Sequence, residues 1–391
     1  MKICLHNGKL LNGISLMENC AVLINDGVIG EVFSEERFLK KNFSPDIKII
    51  DVMGNYIAPG LIDTHIHGFK GHGTDVCSTE GILAMSEDLA QYGVTAFNPT
   101  LYPSDEDSMI AAIKSIVAAM GKEKGAQIMG IHMEGPFISP DKLGVQRPET
   151  VRKVDLELMR RLWEASEGHI VNMTVAPEIK DMRLLALNCL SYGIVLQAGH
   201  TDADYSNMVE GIQAGILHAT HLFNAMSQMH QRNPCAVGAV LIHPEMSCEV
   251  IADGIHVHPD LFKLLQRDKT ADQIVLVTDA LTPTEQKGDH LMANGEEVVL
   301  KDGCFRRKSD DVIAGSALTM IRGVKNLVLF GFPVNDAVKC ATANPARVMG
   351  YRKKGLIIPG FDSDIVVFDK NFYPLIVIAG GEIKKSIIET D

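Results

Sequence analysis

Histidines and carboxylates that directly follow short apolar runs constrain the fold of this chain more than any other feature. The first example lies within residues 58–68, where Leu61 and Ile62 precede His65 and His67. Side chains two residues apart in a strand point to the same face, so both imidazoles share one face. Such a pair forms either a metal clamp or ordinary hydrogen-bonded structure. The residues that follow later apolar runs favour the metal clamp.

The middle of the chain alternates between short apolar runs and helical patterns. This βαβα rhythm is typical of a parallel sheet, and eight candidate strands predict a closed (β/α)₈ barrel of the α/β class. We assign residues 58–351 to this barrel. The predicted strands end near His67, Thr100, Glu134, Glu178, His200, His221, His256 and Asp279.

Two amphipathic segments illustrate the predicted helices, and we expect the apolar stripes of both to pack in the core. Ser104 is expected to cap the first helix. The apolar residues at helical spacing in that helix are Ile110, Ile113, Val117 and Met120. The second stripe consists of the leucines Leu184, Leu185, Leu187 and Leu190.

The two chain ends differ from the middle because apolar and polar residues alternate in them. Near the N-terminus, residues 25–27 (Asn-Asp-Gly) separate two alternating runs, which indicates a β-hairpin. Near the C-terminus, apolar runs flank the turn Gly380-Gly381. We therefore predict that residues 1–57 and 352–391 together form one small β-sandwich domain.

Charge and cysteine usage restrict the possible functions. A net charge of -12 disfavours nucleic acid as a main partner, since a phosphate backbone requires a basic face. The 8 cysteines include no C-x-x-C pair, which favours a reducing compartment over a disulfide framework or a zinc knuckle. The first residues lack the apolar core of a signal peptide, and no later run reaches the length of a membrane span. We expect a cytoplasmic protein without a membrane partner.

In a barrel, the polar residues at the predicted strand ends converge on one face. Side chains at the C-terminal ends of barrel strands line the active site, so histidines and carboxylates there indicate catalysis or metal binding. Glu134, His200 and His221 are the strongest candidate ligands, because carboxylate and imidazole are common metal ligands. For Glu134, capping of a following helix is the structural alternative.

Asp279 follows an almost purely apolar run that begins at Val275. A buried carboxylate in that position requires a metal or a proton to transfer, although capping of the next helix is an alternative. His218 is expected in the core or in contact with the ligands. The histidines expected to be structural or exposed are His132, His169, His230, His243, His258 and His290.

These segments resemble the amidohydrolase superfamily and, within it, the N-acetylglucosamine-6-phosphate deacetylase family. The shared pattern is P-G-x-I-D-x-H-x-H in strand one, a Glu after strand three, single histidines after strands five and six, and an Asp after strand eight. The resemblance covers nearly the whole chain. Its most specific segments are residues 133–137, 198–201, 221–226, 251–256 and 278–280.

The resemblance implies a metal-dependent enzyme that removes the N-acetyl group of N-acetylglucosamine 6-phosphate, a phosphorylated amino sugar. It implies one divalent ion (Zn, Fe, Mn or Co) on Glu134, His200 and His221. A second ion would be held by His65 and His67, with Glu134 bridging and Asp279 nearby, so one or two ions per chain are expected. Asp279 would take a proton from water and return it to the leaving amine.

The resemblance also implies which residues bind the substrate. The backbone around Asn224 and Ala225, together with Arg232 from a neighbouring subunit, would hold the phosphate, so a homodimer is expected. Arg232 would supply the basic side chain that an acidic protein needs for such a substrate. His256 would orient the sugar near the scissile amide. Gln146 stands where several relatives carry a histidine, which leaves its contact with the acetyl group open.

Two other functions fit the same residues. Another amidohydrolase activity, either deacetylation of the galactosamine epimer or deamination of a nucleobase, would keep the ligands and change the substrate loops. A non-catalytic relative would keep the barrel as an assembly or binding module. The intact ligands and Asp279 disfavour this second alternative.

Overall fold

The computed structural model describes residues 1–288 and 290–388. Its centre is a barrel of eight parallel strands in which each strand pairs with the next along the chain, as the alternating pattern predicts. In chain order, barrel strands one to eight are Leu61–Ile66, Val94–Leu101, Ile131–Glu134, Ile170–Val175, Val195–Ala198, His218–Ala219, Ser247–Ile251 and Ile274–Val277.

The seam between barrel strands eight and one is closed by residues at and beyond the strand ends. The backbone N–H of Asp279 donates to the carbonyl of His65 at 2.9 Å. Within the seam, the buried Asp63 carboxylate accepts from the Thr278 hydroxyl at 2.6 Å and from its backbone N–H at 3.3 Å. Burial raises the pKa of Asp63 to about 7, although these hydrogen bonds act in the opposite direction. The seam therefore fixes Asp279 beside the strand-one histidines.

A helix follows each barrel strand and packs on the outside. The second of these helices is capped by Asp105 rather than by Ser104, because the Asp105 carboxylate accepts from the backbone N–H of Ser108 at 2.9 Å. In the described residues, no helix is long and apolar enough to cross a membrane. The eight barrel helices are Thr79–Ala90, Glu106–Ala119, Leu156–Ala165, Met182–Ser191, Tyr205–Gln213, Cys235–Ile242, Pro259–Asp268 and Met320–Leu329.

The helix Met182–Ser191 forms as predicted, but its core stripe was assigned to the wrong face. Leu185 is buried, whereas Leu184, Leu187 and Leu190 are 55%, 58% and 48% exposed. The buried face also contains Met182, Ala186 and Cys189, and both 182 to 186 and 185 to 189 are spaced i, i+4, as neighbours on one helix face are. The three equally spaced leucines lie instead on the solvent-exposed face, so helical spacing alone did not identify the buried stripe.

Both chain ends enter one eight-stranded sheet beside the barrel. The strand Ile365–Phe368 pairs antiparallel with Tyr56–Pro59, which joins the two ends, and both predicted hairpins are present. Its apolar side chains pack in a core that is separate from the barrel core. The exact domain limits, 1–57 with 352–391 and 58–351, stay a prediction. The strands are Lys2–Leu11, Leu16–Asn25, Val28–Ser34, Ile47–Asp51, Tyr56–Pro59, Ile365–Phe368, Pro374–Ala379 and Glu382–Ser386.

A four-stranded antiparallel sheet that the sequence pattern did not predict lies between barrel strand eight and the helix that follows it. Its core contains Leu291 and Phe305, packed with Tyr102 from the end of barrel strand two. The sheet therefore covers the C-terminal face of the barrel. Its strands are Leu291–Ala293, Glu296–Lys301, Cys304–Arg307 and Ile313–Ser316.

The remaining elements are short. The helix Glu35–Lys40 packs on the end sheet, and two further helices follow the last barrel helix. These elements, with the short strands and 3₁₀ helices, are Glu35–Lys40, Gly68–Phe69, His72–Gly73, Thr74–Val76, Gln127–Ile128, Pro148–Thr150, Ala271–Gln273, Val334–Cys340 and Ala343–Val348.

Candidate metal centre

Six buried side chains that could ligate a metal meet at the C-terminal ends of the barrel strands. They form two groups of three, and within each group the ligand atoms lie within 4.8 Å of one another. The six residues are the ones that the sequence predicted as ligands or catalytic base. The first ligand group is Glu134, His200 and His221, and the second ligand group is His65, His67 and Asp279.

The first ligand group is compact. Oε1 of Glu134 lies 3.1 Å from Nε2 of His200 and 3.1 Å from Nε2 of His221, and the two nitrogens are 3.2 Å apart. Ligand atoms about 2.0 Å from a tetrahedral ion are separated from each other by about 3.3 Å. One carboxylate oxygen and two imidazole nitrogens at these separations fit a single divalent ion.

The second ligand group shares Glu134 with the first. Oδ1 of Asp279 lies 3.5 Å from Nε2 of His65 and 3.4 Å from Nε2 of His67. Oε1 of Glu134 lies 3.4 Å from the His65 nitrogen, and its Oε2 lies 3.4 Å from the His67 nitrogen. Nε2 of His65 is buried and has no hydrogen-bond partner in the described part of the chain, and a bound ion would satisfy it. These residues therefore also fit a divalent ion, with Glu134 between the two groups.

The charges of the site shift the pKa values of its members. Burial opposes ionisation of Glu134, but His200, His221 and His65 lower the pKa of this carboxyl well below its usual value. Burial likewise opposes the charged form of Asp279, yet His65 and His67 lower its pKa. Both carboxylates are thus ionised at neutral pH, as metal ligands or a proton acceptor must be.

The backbone is strained at several of these residues. His200, His221 and Asp279 have φ values of 46°, 27° and 50°, in a region that non-glycine residues rarely adopt. Such conformations persist where the surrounding structure holds them, and they cluster at active sites. Each of the three residues follows the end of a barrel strand, so the strained backbone turns its side chain into the centre.

The ligand groups open into a cavity of about 340 Å³, which is lined by four of the predicted substrate residues, Gln146, Asn224, Ala225 and His256. Nε2 of Gln146 donates to Oε2 of Glu134 at 2.5 Å, and no described residue donates a hydrogen bond to its buried Oε1. The amide oxygen of Gln146 is therefore free to accept a hydrogen bond from a molecule in the cavity.

Asp253 holds His256 at the edge of this cavity. Oδ2 of Asp253 lies 2.6 Å from Nδ1 of His256, and Oδ1 accepts from the backbone N–H of His256 at 2.9 Å. Because an ionised carboxylate only accepts hydrogen bonds, Nδ1 carries the hydrogen and Nε2 is the ring atom left for a substrate.

Arg232 is not brought to the cavity of its own chain. It is exposed and does not line the cavity, so its proposed role in a neighbouring subunit stays a prediction. His218 lies in the core, where its Nδ1 and the Ser247 hydroxyl are 2.7 Å apart, and it belongs to neither ligand group. His132 is buried inside the barrel between Thr100 and Thr174.

Three polar residues around the centre, Asp253, Glu249 and Tyr102, were not among the predicted site residues. Asp253 and His256 are three residues apart in one loop, a spacing that could have suggested their contact. Glu249 interrupts an apolar run in barrel strand seven. A charged residue inside a buried strand indicates a paired or functional side chain, because an unpaired buried charge is costly. Tyr102 stacks on His67 with ring centroids 3.8 Å apart, and nothing in the sequence around it indicates this contact.

A barrel whose strand ends gather buried histidines and carboxylates around one cavity is the architecture of a metal-dependent hydrolase. The Amidohydrolase family model matches residues 56–389, and the chain belongs to this family. This confirms the resemblance found in the sequence.

Individual relatives match over nearly the whole chain. The chain is 32% identical over 374 residues to N-acetylglucosamine-6-phosphate deacetylase of Bacillus subtilis (strain 168), covering 94% of this chain and 93% of that protein. It is 29% identical over 378 residues to N-acetylgalactosamine-6-phosphate deacetylase of Shewanella sp. (strain ANA-3), covering 96% and 94%. The crystal structure of N-acetylglucosamine-6-phosphate deacetylase from Pasteurella multocida superimposes with a TM-score of 0.92 at 27% identity and covers 99% of this chain and 100% of that chain.

Proposed function

We propose that this protein hydrolyses N-acetyl-D-glucosamine 6-phosphate to D-glucosamine 6-phosphate and acetate, a step of amino-sugar recycling. The observation that best supports this proposal is the pair of ligand groups, joined by Glu134, in a cavity that also carries His256 and Gln146. At about 340 Å³ the cavity has the size of a small-molecule site. Two of the three relatives described above are named for this activity.

We further propose two divalent ions per chain, one on each ligand group. Imidazole and carboxylate ligands suit Zn, Fe, Mn or Co. A bound divalent ion lowers the pKa of water and polarises a carbonyl, which makes amide hydrolysis possible at neutral pH. The protein's own side chains then have to move the proton, orient the acetamido group and hold the phosphate.

Asp279 is the residue best placed to move the proton. Its carboxylate lies at the cavity wall and is ionised, because His65 and His67 lower its pKa. It accepts a proton from the attacking water as the new C–O bond forms on the acetyl carbon. It then donates this proton to the amine nitrogen as the C–N bond breaks, so that acetate and a free amino sugar result.

His256 and Gln146 are proposed to contact the acetamido group. Asp253 holds His256 through Nδ1, so Nε2 is the ring atom that orients the sugar and contacts the acetyl oxygen, where negative charge develops. The unpartnered amide oxygen of Gln146 accepts the N–H of the acetamido group. Both contacts would select an N-acyl sugar over a free amine.

The phosphate is proposed to lie at Asn224 and Ala225, which line the cavity and follow His221 in the chain. Arg232 completes this pocket in the neighbouring subunit of a homodimer. Its exposed position in the loop after Ala225 makes it accessible to a second chain. A cytoplasmic location stays our prediction from the sequence.

Acetate release tests the proposal. Metal-loaded protein should release acetate from N-acetylglucosamine 6-phosphate with a kcat/KM at least about tenfold higher than for unphosphorylated N-acetylglucosamine. Deacetylation of the galactosamine epimer is the second candidate, since one relative bears that name. A higher kcat/KM for the galactosamine epimer would assign that substrate instead. Ammonia release from a nucleobase, or no acetate from either sugar phosphate, would reject deacetylation.

A further inference from the structure

Glu249 is a buried carboxylate that the proposed reaction does not use. It lies in barrel strand seven and is 0% exposed. A buried charge is costly unless it is paired and hydrogen-bonded. Within residues 1–288 and 290–388, its ion-pair partners are the imidazoles of His65 and His218, at 3.0 and 3.9 Å, rather than lysine or arginine. One of the two imidazoles that compensate this buried charge, His65, therefore belongs to the metal centre.

Both oxygens of Glu249 are engaged. Oε2 lies 3.0 Å from Nδ1 of His65 and 3.3 Å from the backbone nitrogen of His221. Oε1 accepts from Nε2 of Gln197 at 3.1 Å. Because an ionised carboxylate only accepts hydrogen bonds, Nδ1 of His65 carries the hydrogen. The opposite nitrogen, Nε2, which faces Glu134 and Asp279, is therefore the ring atom left to ligate an ion.

The other imidazole ligands are held differently. Nδ1 of His200 and Nδ1 of His67 each lie beside a neutral backbone carbonyl, at 2.9 and 3.1 Å. Nδ1 of His221 has no hydrogen-bond partner among residues 1–288 and 290–388. A carboxylate on the far nitrogen of a ligating imidazole fixes its tautomer and raises the basicity of the ligand atom. Among the four histidines of the two ligand groups, all of them in the described part of the chain, His65 alone has a carboxylate there.

We propose that Glu249 is a positioning residue for the second ion: it orients His65 and strengthens its Nε2 as a ligand. This inference rests on the two-ion centre of the proposed function. Among the hydrogen bonds of the described residues, the one between Glu249 and the first ligand group comes from the backbone N–H of His221, not from a ligating side chain. The ion on Glu134, His200 and His221 should therefore be retained when Glu249 is changed.

Glu249→Gln tests this, because it keeps the shape and one acceptor oxygen while it removes the charge. We expect the affinity for the second Zn²⁺ to fall about 10-fold to 100-fold, while the first is unchanged. Metal-free protein is dialysed against buffered Zn²⁺, and zinc per folded chain is measured by elemental analysis. At a limiting free concentration, the content should fall from about two ions to about one.

Two controls separate positioning from a general loss of structure. Asp253→Asn removes the charge of another carboxylate bonded to a cavity histidine, but that histidine belongs to neither ligand group, so both ions should remain. In a His65→Asn background, Glu249→Gln should cause no further loss of zinc. Acetate release from the same wild-type preparation tests the proposed function separately, because two bound ions without turnover would reject that function and leave this inference intact.

Unchanged affinity for the second ion in Glu249→Gln would overturn the proposal, and so would equal loss of both ions in that variant. Retention of both ions in His65→Asn would also overturn it. If Glu249→Gln does not fold, the wild-type protein loaded with Co²⁺ provides the test by proton NMR. A strongly shifted His65 Nδ1–H signal that exchanges slowly with water supports the hydrogen bond to Glu249 at the second ion. Absence of that signal overturns it.

Discussion

The two ligand groups differ in compactness and in what holds them. The ligand atoms of the first group lie 3.1–3.2 Å apart. In the second group, the Nε2 atoms of His65 and His67 lie 3.4–3.5 Å from Oδ1 of Asp279, and they also lie 3.4 Å from the carboxylate of Glu134, which belongs to the first group. The first group comes from barrel strands three, five and six, while the second spans the seam between strands eight and one. The first group therefore forms an ion site by itself, and the second depends on its neighbours.

This difference implies a division of labour. The first group is expected to bind its ion more tightly and to carry most of the catalytic effect, because its three donors are already at ligand spacing. The second group is expected to add charge stabilisation and to hold Asp279 in place. Changes to single residues should separate these two contributions.

The largest effect is expected from removal of a first-group ligand. His221→Asn should release the first ion and lower kcat/KM by about 10³-fold or more, since the lost stabilisation amounts to several kcal/mol. Zinc content and acetate release are measured on the same preparation. An active His221→Asn protein that still holds its full complement of zinc would break the proposed distinction between the groups.

Asp279→Asn should have the next largest effect. The fold and the first ion should be retained, but kcat should fall by at least about 10²-fold, because an amide cannot transfer the proton. Steady-state kinetics at matched zinc content measures this. Near-normal turnover in the metal-loaded variant would remove Asp279 from the mechanism.

A smaller effect, outside both groups, is expected for Arg232→Ala. Its KM for the phosphorylated sugar should rise about 10-fold to 100-fold, while zinc content and the reaction of the unphosphorylated sugar change little. Mixed dimers of Arg232→Ala and Asp279→Asn chains should recover part of the activity if the arginine acts across a dimer interface. Equal losses on both sugars would make Arg232 a structural residue.

The ligands could be predicted from sequence because each follows an apolar strand, and a barrel brings such positions to one face. The covering sheet at 291–316 was missed, although Asn294-Gly295 and Asp302-Gly303 are hairpin turn sequences. Its strands are short and only partly apolar, so their alternation is weak.

The contacts that support the ligands could not be predicted. Glu249 and His65 are 184 residues apart, and no local pattern pairs two residues at that separation. The same holds for the hydrogen bond between Gln146 and Glu134, which depends on the path of a loop across the cavity. Local patterns thus identify candidate ligands, while the barrel geometry determines what holds each of them.

The number of ions that depend on His65 and His67 tests the two-group account most directly. Wild-type protein, purified without chelator, should contain about two ions per folded chain, and the double variant His65→Asn, His67→Gln should contain about one. Its acetate release should fall without vanishing, because the first group keeps its ion. A wild-type value near one ion, unchanged in the double variant, would contradict the account and leave Glu134, His200 and His221 as the whole metal centre.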